Sequence, residues 1–160
     1  MTAFPDLDND GDFDMLVADE HLDLSWYENT GSGNFVAHTI TTDADGARSV
    51  YAADMDSDGY MDVLSASLND DKIAWYENNG SESFTAHTIT TGASGARSVY
   101  ATDVDSDGDM DLLVNSESIN LLENIRSENG NTYFADRGPL TDVRLAGHTT
   151  SPTTVDWNSD

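Results

Sequence analysis

The chain is 160 residues long, within the range of one domain, and its 31 acidic against 6 basic side chains give a formal net charge of −25. That balance argues against nucleic acid, whose phosphates are bound by clustered Lys and Arg, and against anionic membranes. There is no cysteine, hence no disulfide framework or thiolate metal site, and no apolar run long enough to span a bilayer.

In chain order, Met1 to Asp6 lacks the charged and apolar regions of a signal peptide. The first acidic loop is Asp6-Leu7-Asp8-Asn9-Asp10-Gly11-Asp12-Phe13-Asp14. Trp26-Tyr27-Glu28-Asn29 and Ala37-His38-Thr39-Ile40-Thr41-Thr42 follow, then Ala47-Arg48-Ser49-Val50-Tyr51-Ala52. The series then starts again with Asp54 to Asp62, Trp75-Tyr76-Glu77-Asn78, Ala86 to Thr91, Ala96 to Ala101 and Asp103 to Asp111. The loops begin at Asp6, Asp54 and Asp103, spaced 48 and 49 residues apart. A fixed period of this length is the mark of a repeat architecture, and it separates the chain from a disordered acidic tail.

Each unit reads as four short strands. In the second, these are Arg48 to Ala53, Asp62 to Ser67, Lys72 to Glu77 and Phe84 to Thr91, with Asn78-Asn79-Gly80-Ser81 as the turn before the last. Adjacent apolar residues such as Trp75-Tyr76 and Leu112-Leu113-Val114 point to sheets buried on both faces. The expected fold is all-β: a partial β-propeller of four-stranded antiparallel blades, about three repeats of roughly 48 residues. The repeats are 1–45, 46–94 and 95–149, with 150–160 starting a further truncated one. Both ends then fall inside a repeat, so the expectation is a piece of a longer protein, a signal peptide preceding it.

The loops carry the chemistry. Each has the form D-x-D-x-D-G-x-x-D, with Asp6, Asp8, Asp10, Asp54, Asp56, Asp58, Asp103, Asp105 and Asp107 at positions 1, 3 and 5. Glycine at position 6 allows the backbone to wrap around one ion, and calcium takes six to eight hard oxygen ligands. Position 7 (Asp12, Tyr60, Asp109) offers its backbone carbonyl, and Asp14, Asp62 and Asp111 at position 9 close the shell. Magnesium demands a stricter octahedron, and zinc prefers the His and Cys that the loops lack. An EF-hand needs a bidentate Glu at position 12, where this chain has Val17, Ser65 and Val114. Three Ca2+ sites are therefore expected, with Asp156, Asn158 and Asp160 forming part of a fourth.

Other recurring residues read more plainly. His38 and His87 fit structural positions on strands, and His21 and His148 fit the surface. Glu28, Glu77 and Glu123 read as polar strand ends, and the Trp-Tyr pairs as core between blades. Arg48 and Arg97 read as partners of nearby carboxylates. Their sharper reading, with Tyr51 and Tyr100, is a ring at one propeller mouth that meets an anionic sugar or peptide. No nucleophile elbow, phosphate-binding glycine loop or His-Glu metal pair is present, so no catalytic role is expected.

The loops at Asp54 to Asp62 and Asp103 to Asp111, each followed by an apolar strand, resemble those of the FG-GAP/VCBS repeat family of integrin-α-like propellers. The resemblance implies calcium in the hairpin between the first two strands of each blade. It also implies a secreted or surface protein that binds calcium and an extracellular glycan or protein, without membrane insertion. The alternative is a non-catalytic or scaffold part of a polysaccharide-active enzyme of lyase type. The third repeat departs from the pattern: Leu121-Leu122 stands for Trp-Tyr, and Asn129 to His148 for the Ala-His-Thr-Ile run.

Overall fold

A computed structural model describes residues 2–19, 21–81, 83–125 and 132–140. Twelve strands form three four-stranded antiparallel sheets, each ordered as in the chain, with no helix among the described residues. The first sheet is β1 (Thr2–Ala3), β2 (Met15–Ala18), β3 (His21–Asn29) and β4 (Phe35–Asp45). The second is β5 (Ala47–Ala53), β6 (Asp62–Ser67), β7 (Lys72–Asn78) and β8 (Phe84–Thr90). The third is β9 (Ser98–Thr102), β10 (Asp111–Asn115), β11 (Ile119–Asn124) and β12 (Phe134–Pro139). The sheets stand in series: β5 lies against β9 on one side and against β1 and β2 on the other.

Burial on both faces follows from the pairs of adjacent apolar residues. Side chains alternate across a strand, so Trp75 and Tyr76 point to opposite faces of the second sheet. Trp75 joins Met55, Leu64, Ile73, Leu112 and Leu122 in the core between the second and third sheets. Tyr76 joins Leu7, Leu16, Leu24, Trp26 and Val63 in the core between the first and second. Each such side chain contributes about 1.5–3 kcal/mol when fully buried, so the packing between sheets is the main cohesion of the array. Every residue of β6 is buried.

Two elements differ from the sequence reading. Asn78 is the last residue of β7 rather than the first of a turn, and it is 1% exposed, its side-chain amide donating to the carbonyls of Leu7 and Met61. The third sheet does gain an outer strand without the Ala-His-Thr-Ile run: β12 pairs with β11 through a register shift at Leu121/Leu122. Asp156, Asn158, Asp160 and His148 lie outside the described residues.

Candidate metal centres

Each Asp loop joins the first and second strands of its sheet, across β1–β2, β5–β6 and β9–β10. Local chemistry shapes it. Positions 4 and 6 adopt left-handed backbone: Asn9, Ser57 and Ser106 have φ of 61°, 61° and 66°, and Gly11, Gly59 and Gly108 have 97°, 94° and 96°. Glycine carries the larger angle without a Cβ clash, while Asn and Ser at position 4 accept a modest strain. Side-chain oxygens then cap the turn. Gly11, Gly59 and Gly108 donate N–H to the first Asp of their loops at 3.1, 3.0 and 3.1 Å. Asp10, Asp58 and Asp107 donate to Asp8, Asp56 and Asp105 at 3.1, 3.2 and 3.2 Å.

This folding gathers carboxylates. One oxygen each from Asp6, Asp8 and Asp10, and from Asp54, Asp56 and Asp58, lie within 4.8 Å of one another. In the third loop the converging set is Asp103, Asp105 and Asp111, so position 9 takes the place of Asp107. Ligands about 2.3–2.6 Å from a shared calcium ion can be up to about 5 Å apart, which these spacings satisfy. The donor set is all hard oxygen. Asp6 Oδ1 is buried and has no hydrogen-bond partner, which is costly for an anionic oxygen unless a cation faces it. The residues present therefore fit a calcium ion.

The electrostatics agree. Burial first, then neighbouring carboxylates, push Asp8 and Asp56 above the usual carboxylate range, against a backbone N–H bond that lowers each. Asp105 is raised in the same way. Burial pushes Asp62 up to about 7, although two backbone N–H donors favour its ionised form.

Position 9 has a second task that its spacing did not reveal. Asp14 accepts N–H from Leu7 and Asn29, both at 2.8 Å; Asp62 accepts from Met55 at 2.9 Å and Asn78 at 2.7 Å; Asp111 accepts from Val104 at 2.9 Å and Asn124 at 2.8 Å. These carboxylates are 0%, 0% and 1% exposed. They tie position 2 of the loop to the end of the third strand, fixing the hairpin with or without an ion. The recurring Asn after Trp-Tyr-Glu was the available signal. Position 2 is an anchor as well: Leu7 and Met55 are buried in successive intersheet cores, whereas Val104 is 46% exposed.

At position 7, the Asp12 and Tyr60 side chains lie over glycines of the next hairpin. A Cβ at Gly31 would meet Asp12 Oδ2 at 2.8 Å, and one at Gly80 would run into the Tyr60 ring. Asp109, the third residue at this position, donates its backbone N–H to Asp107 at 2.9 Å.

The histidines take a defined place. His38 stacks on Trp26 at 4.5 Å and bonds Glu28 at 2.8 Å; His87 stacks on Trp75 at 4.6 Å and bonds Glu77 at 2.7 Å. In the third sheet Arg137 takes over, gripping both oxygens of Glu123 at 2.6 and 2.9 Å. Tyr51 and Tyr100 meet with ring centroids 4.8 Å apart on the first strands of their sheets, and Arg48 and Arg97 are exposed nearby in sequence. His21 lies in β3.

A family model described as FG-GAP-like repeat matches residues 6–65 and again 54–114, each match starting at an Asp loop. No curated protein matches the chain.

Proposed function

Because this chain belongs to the FG-GAP-like repeat family, we propose that it is a calcium-binding β-propeller repeat module of a secreted or surface protein. FG-GAP-like repeats are commonly calcium-binding and typical of extracellular proteins, and no helix among the described residues is long and apolar enough to cross a membrane. The observation that carries the reading is the convergence of three carboxylates in each loop, with Asp6 Oδ1 buried and unpartnered. Asp6, Asp8 and Asp10 would hold the first ion, Asp54, Asp56 and Asp58 the second, and Asp103, Asp105 and Asp111 the third. Asp14 and Asp62 at position 9, the carbonyls of Asp12, Tyr60 and Asp109 at position 7, and Asp107 would complete the shells.

Calcium's role is structural. It compensates carboxylates forced together in each hairpin, and three ions would reduce the formal charge from −25 to −19. The module binds an extracellular glycan or protein and catalyses nothing. Extracellular modules hold calcium with dissociation constants of roughly 10⁻⁴–10⁻³ M, suited to the medium outside cells. An ion at ten times its dissociation constant adds about 1.4 kcal/mol of stability. Thermal unfolding in chelator and in millimolar calcium tests this: a clear rise with calcium is expected, and superimposable curves would end the calcium reading.

A further inference from the structure

Three recurring asparagines close the third strands of their sheets, and one of them makes a bond the others do not. Asn29, Asn78 and Asn124 each donate a side-chain N–H to position 8 of their own loop, at 3.3 Å to Phe13, 3.1 Å to Met61 and 3.3 Å to Met110. Asn78 Nδ2 also donates to the carbonyl of Leu7, in the preceding loop, at 2.9 Å. Asn124 makes no such bond to the middle loop among the described residues, and its Oδ1 is buried without a partner.

A continuous buried path therefore joins the first two sites. Asp14 holds the N–H of Leu7, the carbonyl of Leu7 holds the Asn78 amide, and the N–H of Asn78 holds Asp62. Asp14, Leu7, Asn78 and Asp62 are 0%, 3%, 1% and 0% exposed. A second link lies at the rim, where Asn9 Nδ2 reaches the carbonyl of Gly59 at 3.5 Å. Position 4 of the middle loop is Ser57, which lacks the side-chain amide that Asn9 uses for this link.

We propose that the first and second loops bind calcium cooperatively through Asn78, while the third loop fills independently of them. The proposal rests on the calcium reading above. A cation that fixes the first loop fixes the Leu7 peptide, and with it the amide that positions Asp62's partner. The link is reciprocal, since a coupling free energy acts equally on both sites. Water cannot compete for the bonds along this path, so loosening at one end is felt at the other.

Calcium titrations of the full chain, followed by the amide resonances of Gly11, Gly59 and Gly108, read the three loops separately. Disabling the middle loop with Asp54→Asn and Asp56→Asn is expected to weaken calcium at Gly11 by about fivefold or more. Disabling the first with Asp6→Asn and Asp8→Asn is expected to weaken it at Gly59 by the same factor. Asp103→Asn with Asp105→Asn leaves the Gly11 midpoint in place. Asn78→Ala removes the coupling, whereas Asn29→Ala, which loses the same own-loop bond, keeps it. Should Asn78→Ala fail to fold, Asn9→Ser and the loop-disabled variants carry the test, Asn9→Ser being expected to reduce the coupling. Calcium-dependent shifts at all three glycines, with a Gly11 midpoint indifferent to the middle loop, would overturn the coupling alone. Shifts at none of them would overturn the calcium reading as well.

Discussion

Within the middle loop, Asp56 sits beside Asp54 and Asp58, while Asp62 commits both oxygens to backbone N–H donors. The same substitution should therefore act differently at the two positions. Asp56→Asn removes a charge that its neighbours oppose, so in chelator it is expected to stabilise by a few tenths of a kcal/mol. In millimolar calcium it should destabilise, because one of the proposed ligands is lost. Asp62→Asn turns an amide NH2 toward an N–H donor and leaves a buried bond unmade, costing about 1–3 kcal/mol in chelator, and more in calcium, where the proposed shell loses an oxygen as well. Paired melts of the two variants, with and without chelator, check the reversal of sign. The pH dependence follows from the same groups. Asp8, Asp56 and Asp62 have folded pKa values above their unfolded ones, so these groups bind more protons in the ion-free folded state than in the unfolded one, and for Asp62 the window runs from about pH 4 to about 7. Its stability is greatest at the acid end of that window and declines as pH rises through it. Calcium competes with those protons, so its affinity for the middle loop should fall on acidification through about 7, where Asp62 titrates. Calcium titrations at pH 8, 6.5 and 5.5 measure it, and an affinity constant over that range would contradict the burial argument.

The strands and loops were legible because their causes are local or periodic. Alternate Asp residues before a Gly specify the loop, and adjacent apolar residues at a 48- to 49-residue period specify sheets covered on both sides. Tertiary partners were not legible. Asn78-Asn79-Gly80-Ser81 has turn composition, yet Asn78 ends a strand because its side chain is claimed by Leu7, 71 residues away. Arg137 had no signal, since it replaces the repeated histidine through a strand of different sequence and shifted register. Lys72 is the clearest case of a residue whose role lies between elements. It opens β7 at 9% exposure, pairs with Asp70 at 2.9 Å, and donates to the Asp43 carbonyl at the end of β4. It thus ties the second sheet to the first at the opposite end of β7 from the Asp loops, about 20 Å away for seven residues of strand. Lys72→Met keeps the aliphatic packing but leaves Asp70 and the Asp43 carbonyl without their donor, for an expected loss of about 1–3 kcal/mol. Denaturant unfolding should show that loss equally in chelator and in calcium, because the end that carries the Asp loops is untouched. A loss confined to the calcium-loaded protein would assign Lys72 to the loops instead.

At the scale of the molecule, charge opposes compaction everywhere, but two remedies act over different ranges. Dissolved salt screens all carboxylates together, with a Debye length of about 30 Å at 0.01 M falling to about 10 Å at 0.1 M. Calcium acts at the loops and only there if the carboxylate triads bind it. A chain of −25 should therefore respond to both, in distinguishable ways. In chelator, raising tetramethylammonium chloride from 0.01 to 0.3 M is expected to raise Tm, since this bulky cation screens without entering an oxygen cage. With the loops filled, the same increase should raise Tm by less, because the most crowded carboxylates are already compensated. The calcium effect should saturate near three ions per chain and persist in 0.3 M of that salt, where general attraction is largely screened. Asp6→Asn, Asp54→Asn and Asp103→Asn together should abolish the saturating part while leaving the salt response of the ion-free protein in place. Calorimetric Tm measured across both series decides between site binding and diffuse neutralisation. If the triple variant gained as much from calcium as the parent chain, the ion would be acting as diffuse counter-charge, and the hairpins would owe their order to the hydrogen bonds of Asp14, Asp62 and Asp111 alone.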